Sequence, residues 1–206
     1  MDHAKNWQMA QKWLSKRDPV MAKLMKSYKG ELLRSRGDSF VTLLRSIVGQ
    51  QISVKAAATV WGRLEEALPN LTPANVIDAP MSLLRAAGLS ARKVEYAKDL
   101  SQAFDSGRLK PHAWADMSDQ EIIDVLCEVR GIGRWTAEMF LIFHLLRLDV
   151  FPVDDIGLKR AMSLAYKKRY PLSDKTLLHF SKLWTPYRSV ATWYMWRSLD
   201  PIPVEY

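Results

Sequence analysis

The residues in this 206-residue chain best placed to do chemistry are two adjacent carboxylates, Asp154 and Asp155, in the run Val150-Phe151-Pro152-Val153-Asp154-Asp155. An apolar extended link precedes them and a helical pattern follows. Capping that helix needs one carboxylate, which accepts a first-turn N–H. The other would project from the helix start, where the macrodipole favours an anion. A fixed anion there can stabilise a cationic transition state, such as the oxocarbenium-like ion of glycoside cleavage. Spacing alone leaves open which acid caps and which projects.

Three other stretches carry candidate chemistry. Gly131 and Gly133 bracket Ile132 between two helical patterns, Ile122-Ile123-Leu126-Val129 before and Trp135-Met139-Ile142-Phe143-Leu146 after. Ser118 with Glu121 fits a capping box that starts the first of these helices. Glycines in such a turn can adopt positive φ and bring backbone close to a ligand, and the N–H groups opening the second helix suit a phosphate. An ordinary corner between two helices fits the same spacing. Gly49-Gln50-Gln51-Ile52-Ser53 is a polar break between two apolar helices. It is either a plain loop ending in a serine N-cap or a turn that pushes a side chain into a duplex. Trp135, Trp193, Tyr194 and Trp196 either fill a core or wall a pocket that stacks a base.

The elements that must position these residues read as helix after helix. Trp7, Ala10 and Leu14, then Val20 and Leu24, make two short amphipathic segments split at Asp18-Pro19, a cap followed by a proline at the first helical position. Glu31 to Asp38 is a polar connector. Phe40, Leu43, Leu44, Ile47 and Val48 form one helix face, and Ser53 caps the next helix. Thr72-Pro73 and Asp78-Ala79-Pro80 are further helix starts, and a long pattern follows Ser90 to Gly107. After the carboxylates a helix is expected from about Asp155 to Lys168, another after Ser173, and a last one from Thr185-Pro186 to about Ser198. Nothing alternates with period two for long enough to make a sheet, so the chain is expected to be all-α.

Thirty Lys and Arg residues against 22 Asp and Glu leave a formal charge of +8, which points to a polyanionic partner. The lone cysteine, Cys127, excludes a disulfide, a cysteine-ligated zinc and a cysteine-ligated iron–sulfur cluster within this chain. No apolar run approaches the ~18 residues a membrane span needs, and the first residues lack a signal-peptide core. The expected location is therefore intracellular, in the cytoplasm or nucleoid, or the nucleus of a eukaryote.

The segments SIVGQQISVKAA, AAGLSARKVEYAKDL, LCEVRGIGRWTAEMF, VFPVDDIGLKRA and LWTPYRSVATWYMW, in that order, resemble the helix-hairpin-helix DNA glycosylases. Within these the chain is most similar to the alkylation-repair branch typified by bacterial 3-methyladenine DNA glycosylase II, over residues 36 to 200. The resemblance implies a two-lobed helical fold, one lobe formed by about residues 1–36 and 148–206 and the other by 37–147. The helix-hairpin-helix at about 118–146 lies in the second, and the cleft between lobes carries the catalytic aspartate. It assigns that role to Asp155 and leaves Asp154 as a neighbour and cap. It places the duplex-opening wedge on Gln51, the phosphate contacts on Gly131, Gly133, Arg134 and Trp135, and the base pocket on Trp135, Met139, Ile156 and Trp196. Met139 and Ile156 stand where relatives carry tyrosines.

The same likeness implies a sodium or potassium ion under the hairpin, held by the backbone carbonyls of Cys127, Val129 and Ile132, with no catalytic cofactor and no iron–sulfur cluster. Strand-cutting members place a lysine nucleophile where this chain has Trp135, so the expected enzyme is monofunctional. It would act as a monomer on double-stranded DNA, hydrolysing N3- or N7-methylated purines, whose positive charge already weakens the glycosidic bond, and leaving an abasic site. Two other readings fit less of the sequence. A non-catalytic lesion-binding protein has no use for Asp155, and a glycosylase for deaminated or mismatched bases calls for a more polar pocket than these four residues make.

Overall fold

Short polar side chains punctuate this chain, and each starts a helix in the computed structural model, which describes residues 2–35 and 37–199. Asp2, Asp18, Asp38, Ser53, Thr72, Ser90, Ser118, Asp155 and Ser173 each accept a first-turn backbone N–H, satisfying donors that have no partner inside the helix. The resulting elements are α1 (His3–Arg17), α2 (Pro19–Ser27), α3 (Ser39–Gly49), α4 (Val54–Ala67), α5 (Pro73–Asp78), α6 (Met81–Ala86) and α7 (Ala91–Asp105). A 3-10 turn at Pro111–Ala113 follows, then α8 (Asp119–Cys127), α9 (Arg134–Phe143), α10 (Ile156–Ala165), α11 (Asp174–Trp184) and α12 (Arg188–Leu199). The described residues contain no strand, in keeping with the all-α expectation.

These helices form two compact units. The first comprises the residues up to Ser35 and those from Leu141 onward; the second lies between, ending at Phe140. The sequence places this boundary at about residue 147, but it falls within α9, whose last apolar residues, from Leu141, count with the first unit.

In the first unit α12 packs against α1, α2, α10 and α11. It is buried on every side, from Ser189 through Met195, which is why its sequence shows no polar stripe. Asp18 joins α1 to α2 from a fully enclosed position. Its Oδ1 accepts from Val20 and Met21 N–H, while its Oδ2 accepts from the Tyr166 hydroxyl and from Trp184 Nε1 at 3.0 Å. Burial and this carboxylate push the Tyr166 hydroxyl pKa far upward, so it stays a donor. The last helix begins at Arg188 rather than at Pro186, because Asp149 accepts both the Arg188 N–H (3.2 Å) and its guanidinium (2.8 and 2.9 Å). Likewise α10 ends at Ala165, where Lys167 takes φ +51° and the Lys168 N–H closes back on the Ser163 carbonyl at 2.9 Å.

In the second unit α7 is the central helix, packed against α3, α5 and α6. Val94, Ala97, Leu100 and Ala103 form its buried stripe. An edge-to-face series, Phe40–Phe104, Phe104–Trp114 and Trp114–Phe140, fills the same core with centroid separations of 5.4, 6.3 and 5.2 Å. No helix among the described residues is long and apolar enough to cross a membrane.

Candidate functional site

Within the first unit, the feature with chemical potential is Asp155. The Asp155 N–H donates to the Pro152 carbonyl at 3.0 Å, and this turn delivers the chain to α10 with Asp155 as its N-cap. Its Oδ1 accepts from Leu158 N–H at 2.5 Å and from Trp196 Nε1–H at 2.9 Å. The capping acid is therefore Asp155 and not Asp154, contrary to the sequence-based assignment. The cap is the residue immediately before the first helical one, and the Pro152 turn puts Asp155 there. Asp154 points into solvent, with Lys159 Nζ 3.8 Å away. Capping and the projected anion thus reside in one side chain, held in a fixed rotamer by two donors.

Two neighbours complete this arrangement. A Cβ on Gly157 would lie 3.2 Å from Asp155 Oδ1 and 3.6 Å from the Trp196 ring, so glycine leaves the room that the carboxylate and indole occupy. Trp196 in turn stacks on Phe143, with centroids 5.6 Å apart and planes 15° from parallel. Ile156, the first residue of α10, is 71% exposed, an unusual surface for so large an apolar side chain. Trp193 and Tyr194 are core, packed around Trp7. Trp196 is the aromatic of α12 that donates to the carboxylate.

In the second unit, α8 and α9 form a helix-hairpin-helix through Gly131-Ile132-Gly133. Val129 N–H donates to Leu126 O and Ile132 N–H to Val129 O, both at 3.1 Å, and Ala137 N–H closes on Gly133 O at 3.0 Å. Gly131 has φ +86°, and a Cβ there would fall 2.2 Å from the Tyr96 ring, so both conformation and space demand glycine. Gly133 does not share the positive φ that the sequence suggests for both glycines. A Cβ there would meet nothing within 4 Å, so its use is an open approach to the start of α9. The Arg134 guanidinium is engaged by Glu138 at 3.0 Å and by Gln120 at 3.3 Å. Trp135 is 40% exposed, whereas Met139 is 3% exposed and presents almost no surface.

The hairpin's carbonyls suit the cation that the resemblance implies. Cys127, Val129 and Ile132 supply neutral backbone oxygens, hard donors appropriate to an alkali ion. Val129 O gives one lone pair to Ile132 N–H and keeps a second. Partial desolvation raises the pKa of the exposed Cys127 thiol, so sulfur does not compete as a thiolate. Among the described residues no cluster of three His, Cys, Asp or Glu side chains forms a metal site.

The third feature is the turn between α3 and α4, also in the second unit. Gln51 is exposed with φ +58°, the left-handed region that a non-glycine residue enters at a cost. Three ties hold it. Lys93 Nζ donates to Val48 O at 2.8 Å and to Gln50 O at 2.7 Å, and Gln50 Nε2 donates to Gly131 O at 2.8 Å. Lys93, Gln50, Tyr96, Phe143 and Gly157 all escape a reading of local pattern, since their partners lie far along the chain or depend on packing.

Residues 44–186 match the HhH-GPD superfamily of base excision DNA repair proteins. DNA-3-methyladenine glycosylase 1 of Schizosaccharomyces pombe is 31% identical over 182 residues, covering 86% of this chain and 80% of that one. The structure of a Schizosaccharomyces pombe 3-methyladenine DNA glycosylase in complex with abasic DNA superposes with a TM-score of 0.81 at 30% identity, over 92% of this chain and 96% of that one. A DNA-3-methyladenine glycosidase from Bacillus halodurans gives the same TM-score at 34% identity, over 92% and 88% of the two chains.

Proposed function

Because the chain belongs to the HhH-GPD superfamily of base excision DNA repair proteins, we propose that it is a monofunctional DNA glycosylase that releases alkylated purines and leaves an abasic site. The observation that carries this reading is Asp155, an acid fixed by the Leu158 and Trp196 donors at the start of α10. In a methylated purine the C1′–N bond breaks with its electron pair moving onto the cationic base, which leaves neutral. Positive charge then develops on the sugar, and a carboxylate preorganised beside it lowers the barrier without moving. Water adds at C1′ and loses a proton. Such chemistry needs no catalytic cofactor.

The remaining residues take supporting roles. Backbone N–H groups around Gly131, Gly133, Arg134 and Trp135 receive a DNA phosphate, an affinity indifferent to sequence. Gln51 enters the duplex, where extraction of a damaged base costs a few kcal/mol. Trp135, Ile156 and Trp196 contact the extruded base, and the π faces of the two tryptophans favour a cation by roughly 0.5–2 kcal/mol. Met139 supports that contact from within its core. The carbonyls of Cys127, Val129 and Ile132 hold a sodium or potassium ion that stiffens the hairpin. Trp135 occupies the position of the strand-cutting lysine, so no Schiff base forms. The protein acts as a monomer on DNA inside the cell.

Duplex DNA carrying one 3-methyladenine or 7-methylguanine tests the reading. The protein should release the free base and leave an alkali-labile site, with no strand break before alkali. Release of uracil or mismatched thymine instead, or binding without release, would overturn it.

A further inference from the structure

The long helix α7 presents three residues at a spacing of three, Lys93, Tyr96 and Asp99, which lie on one face. Each grips a turn proposed to meet DNA. Lys93 Nζ donates to Val48 O and Gln50 O, the last carbonyls of α3 just before Gln51. Tyr96 lies against Gly131 so closely that no side chain fits there. Asp99 Oδ2 accepts the Arg130 N–H at 2.7 Å, and Glu95, on a neighbouring position, holds the Arg130 guanidinium at 2.9 Å. Gln50 closes the circuit by donating to Gly131 O. Hairpin and Gln51 turn are therefore both registered on one rigid rod, and Lys93 ties that rod to the Gln51 turn by hydrogen bonds.

We propose that Lys93 is a positioning residue for duplex opening: it clamps the end of α3 so that Gln51 is held left-handed, at a height set by the same helix that holds the hairpin. An ammonium at a helix C-terminus is favoured by the macrodipole, but burial costs this lysine part of its hydration and lowers its pKa. The structure itself contains the comparison that separates positioning from stability. Lys98, on the same helix and rotated about 140° around it, clamps the end of α5 in the same manner. Its Nζ donates to Ile77 O at 2.6 Å and Ala79 O at 2.7 Å. The α5–α6 turn it holds carries none of the proposed DNA contacts.

The inference rests on the glycosylase reading, and the experiment separates the two. Lys93→Met and Lys98→Met are compared for melting temperature, duplex affinity, base opening by 2-aminopurine fluorescence beside the lesion, and single-turnover base release. Both should lose similar stability. Lys93→Met should keep affinity within about twofold, since phosphate contacts persist. Its opening and release should slow by roughly tenfold to a hundredfold, the scale of an ångström misplacement. Lys98→Met should open and release like the wild type, and Lys93→Arg, which keeps two donors, should recover most of the loss. Should Lys93→Met fail to fold, Gln50→Ala breaks the second tie and should show the same split between affinity and opening. Wild-type opening by a folded Lys93→Met, or by Gln50→Ala in its place, would overturn the proposal, as would equal slowing by Lys98→Met. A wild type that opens the duplex but releases no alkylated base would sink the glycosylase reading and leave the Lys93 test intact.

Discussion

Helices α9 and α10 begin in opposite ways. Gly133, whose carbonyl accepts the Ala137 N–H, precedes α9 and brings no side-chain oxygen; nothing lies within 4 Å of where its Cβ would be. Asp155 precedes α10 and brings its own anion, locked to Leu158 N–H and Trp196 Nε1. The positive end of a helix attracts an anion in either case. One start leaves that position open, as the proposed phosphate contact requires, and the other fills it with the carboxylate proposed to face a cationic sugar. In the proposed reading the same local physics separates a binding end from a reacting end, and the choice of one residue at each cap makes the separation.

Removing the charge from the filled start should have the largest effect. Asn caps a helix about as well as Asp, so Asp155→Asn should leave the melting temperature near the wild-type value. Base release should fall by about 10²–10³ or more, the scale of losing one preorganised electrostatic contact, while DNA affinity persists. Single-turnover assays and binding isotherms check both halves. Unchanged release would remove Asp155 from the chemistry and end the contrast.

Filling the open start should do the reverse. Gly133→Asp adds a Cβ that meets nothing within 4 Å, and its carboxylate as a helix cap should raise stability by a few tenths of a kcal/mol. The new anion would occupy the site of a phosphate. Affinity for duplex DNA should weaken by about tenfold, and the slope of log affinity against log salt should become shallower by about one. A titration at several salt concentrations measures this. An unchanged slope would mean that the hairpin does not hold a phosphate.

How much of this was legible in the sequence follows from how local each interaction is. Ser53, Ser118 and Ser173 were readable as caps because a cap and its N–H lie within three residues. The choice between Asp154 and Asp155 was not, because both satisfy the cap rule and a backbone turn onto Pro152 decides between them. Lys93 looks like a solvated charge on an amphipathic helix; its acceptors are 43 and 45 residues away. Among the aromatics, period alone cannot separate Trp193 and Tyr194 in the core from Trp196 beside a carboxylate, since all three lie on a helix buried nearly all round. The ordered motifs carried the family assignment, but the ties between them are properties of packing.

A smaller change asks whether Trp196 serves the filled start or only the base. Trp196→Phe keeps a ring against Phe143 but deletes the N–H donated to Asp155 Oδ1. Loss of one part-buried hydrogen bond to a charged acceptor, about 1.5 kcal/mol at the low end for such bonds, should slow release by about tenfold for every alkylated base alike. A loss confined to one lesion would assign Trp196 to base recognition instead. Asp155→Asn combined with Trp196→Phe should then cost little more than Asp155→Asn alone, because the two act through one oxygen.

The smallest effect concerns α8, a third start that also supplies its own anion. Glu121 Oε2 accepts from the Ser118 hydroxyl at 2.6 Å and from the Ser118 N–H at 2.7 Å. These bonds, the side-chain one foremost, hold its pKa below the usual 4.5, although the group is exposed. A carboxyl with a depressed folded pKa stabilises fully above its unfolded value and loses that contribution as pH falls through the folded one. The entry to the hairpin should therefore keep its protection from amide exchange at neutral pH and lose it in the acid range, below 4.5. Carboxyl-carbon chemical shifts of Glu121, followed by NMR with and without Ser118→Ala, resolve the cause. With serine present Glu121 should titrate low, and with alanine it should return toward an ordinary glutamate. Low titration surviving the substitution would mean that the helix dipole alone holds the anion; the hydroxyl would then be incidental, and the contrast between filled and open starts would rest on charge rather than on capping.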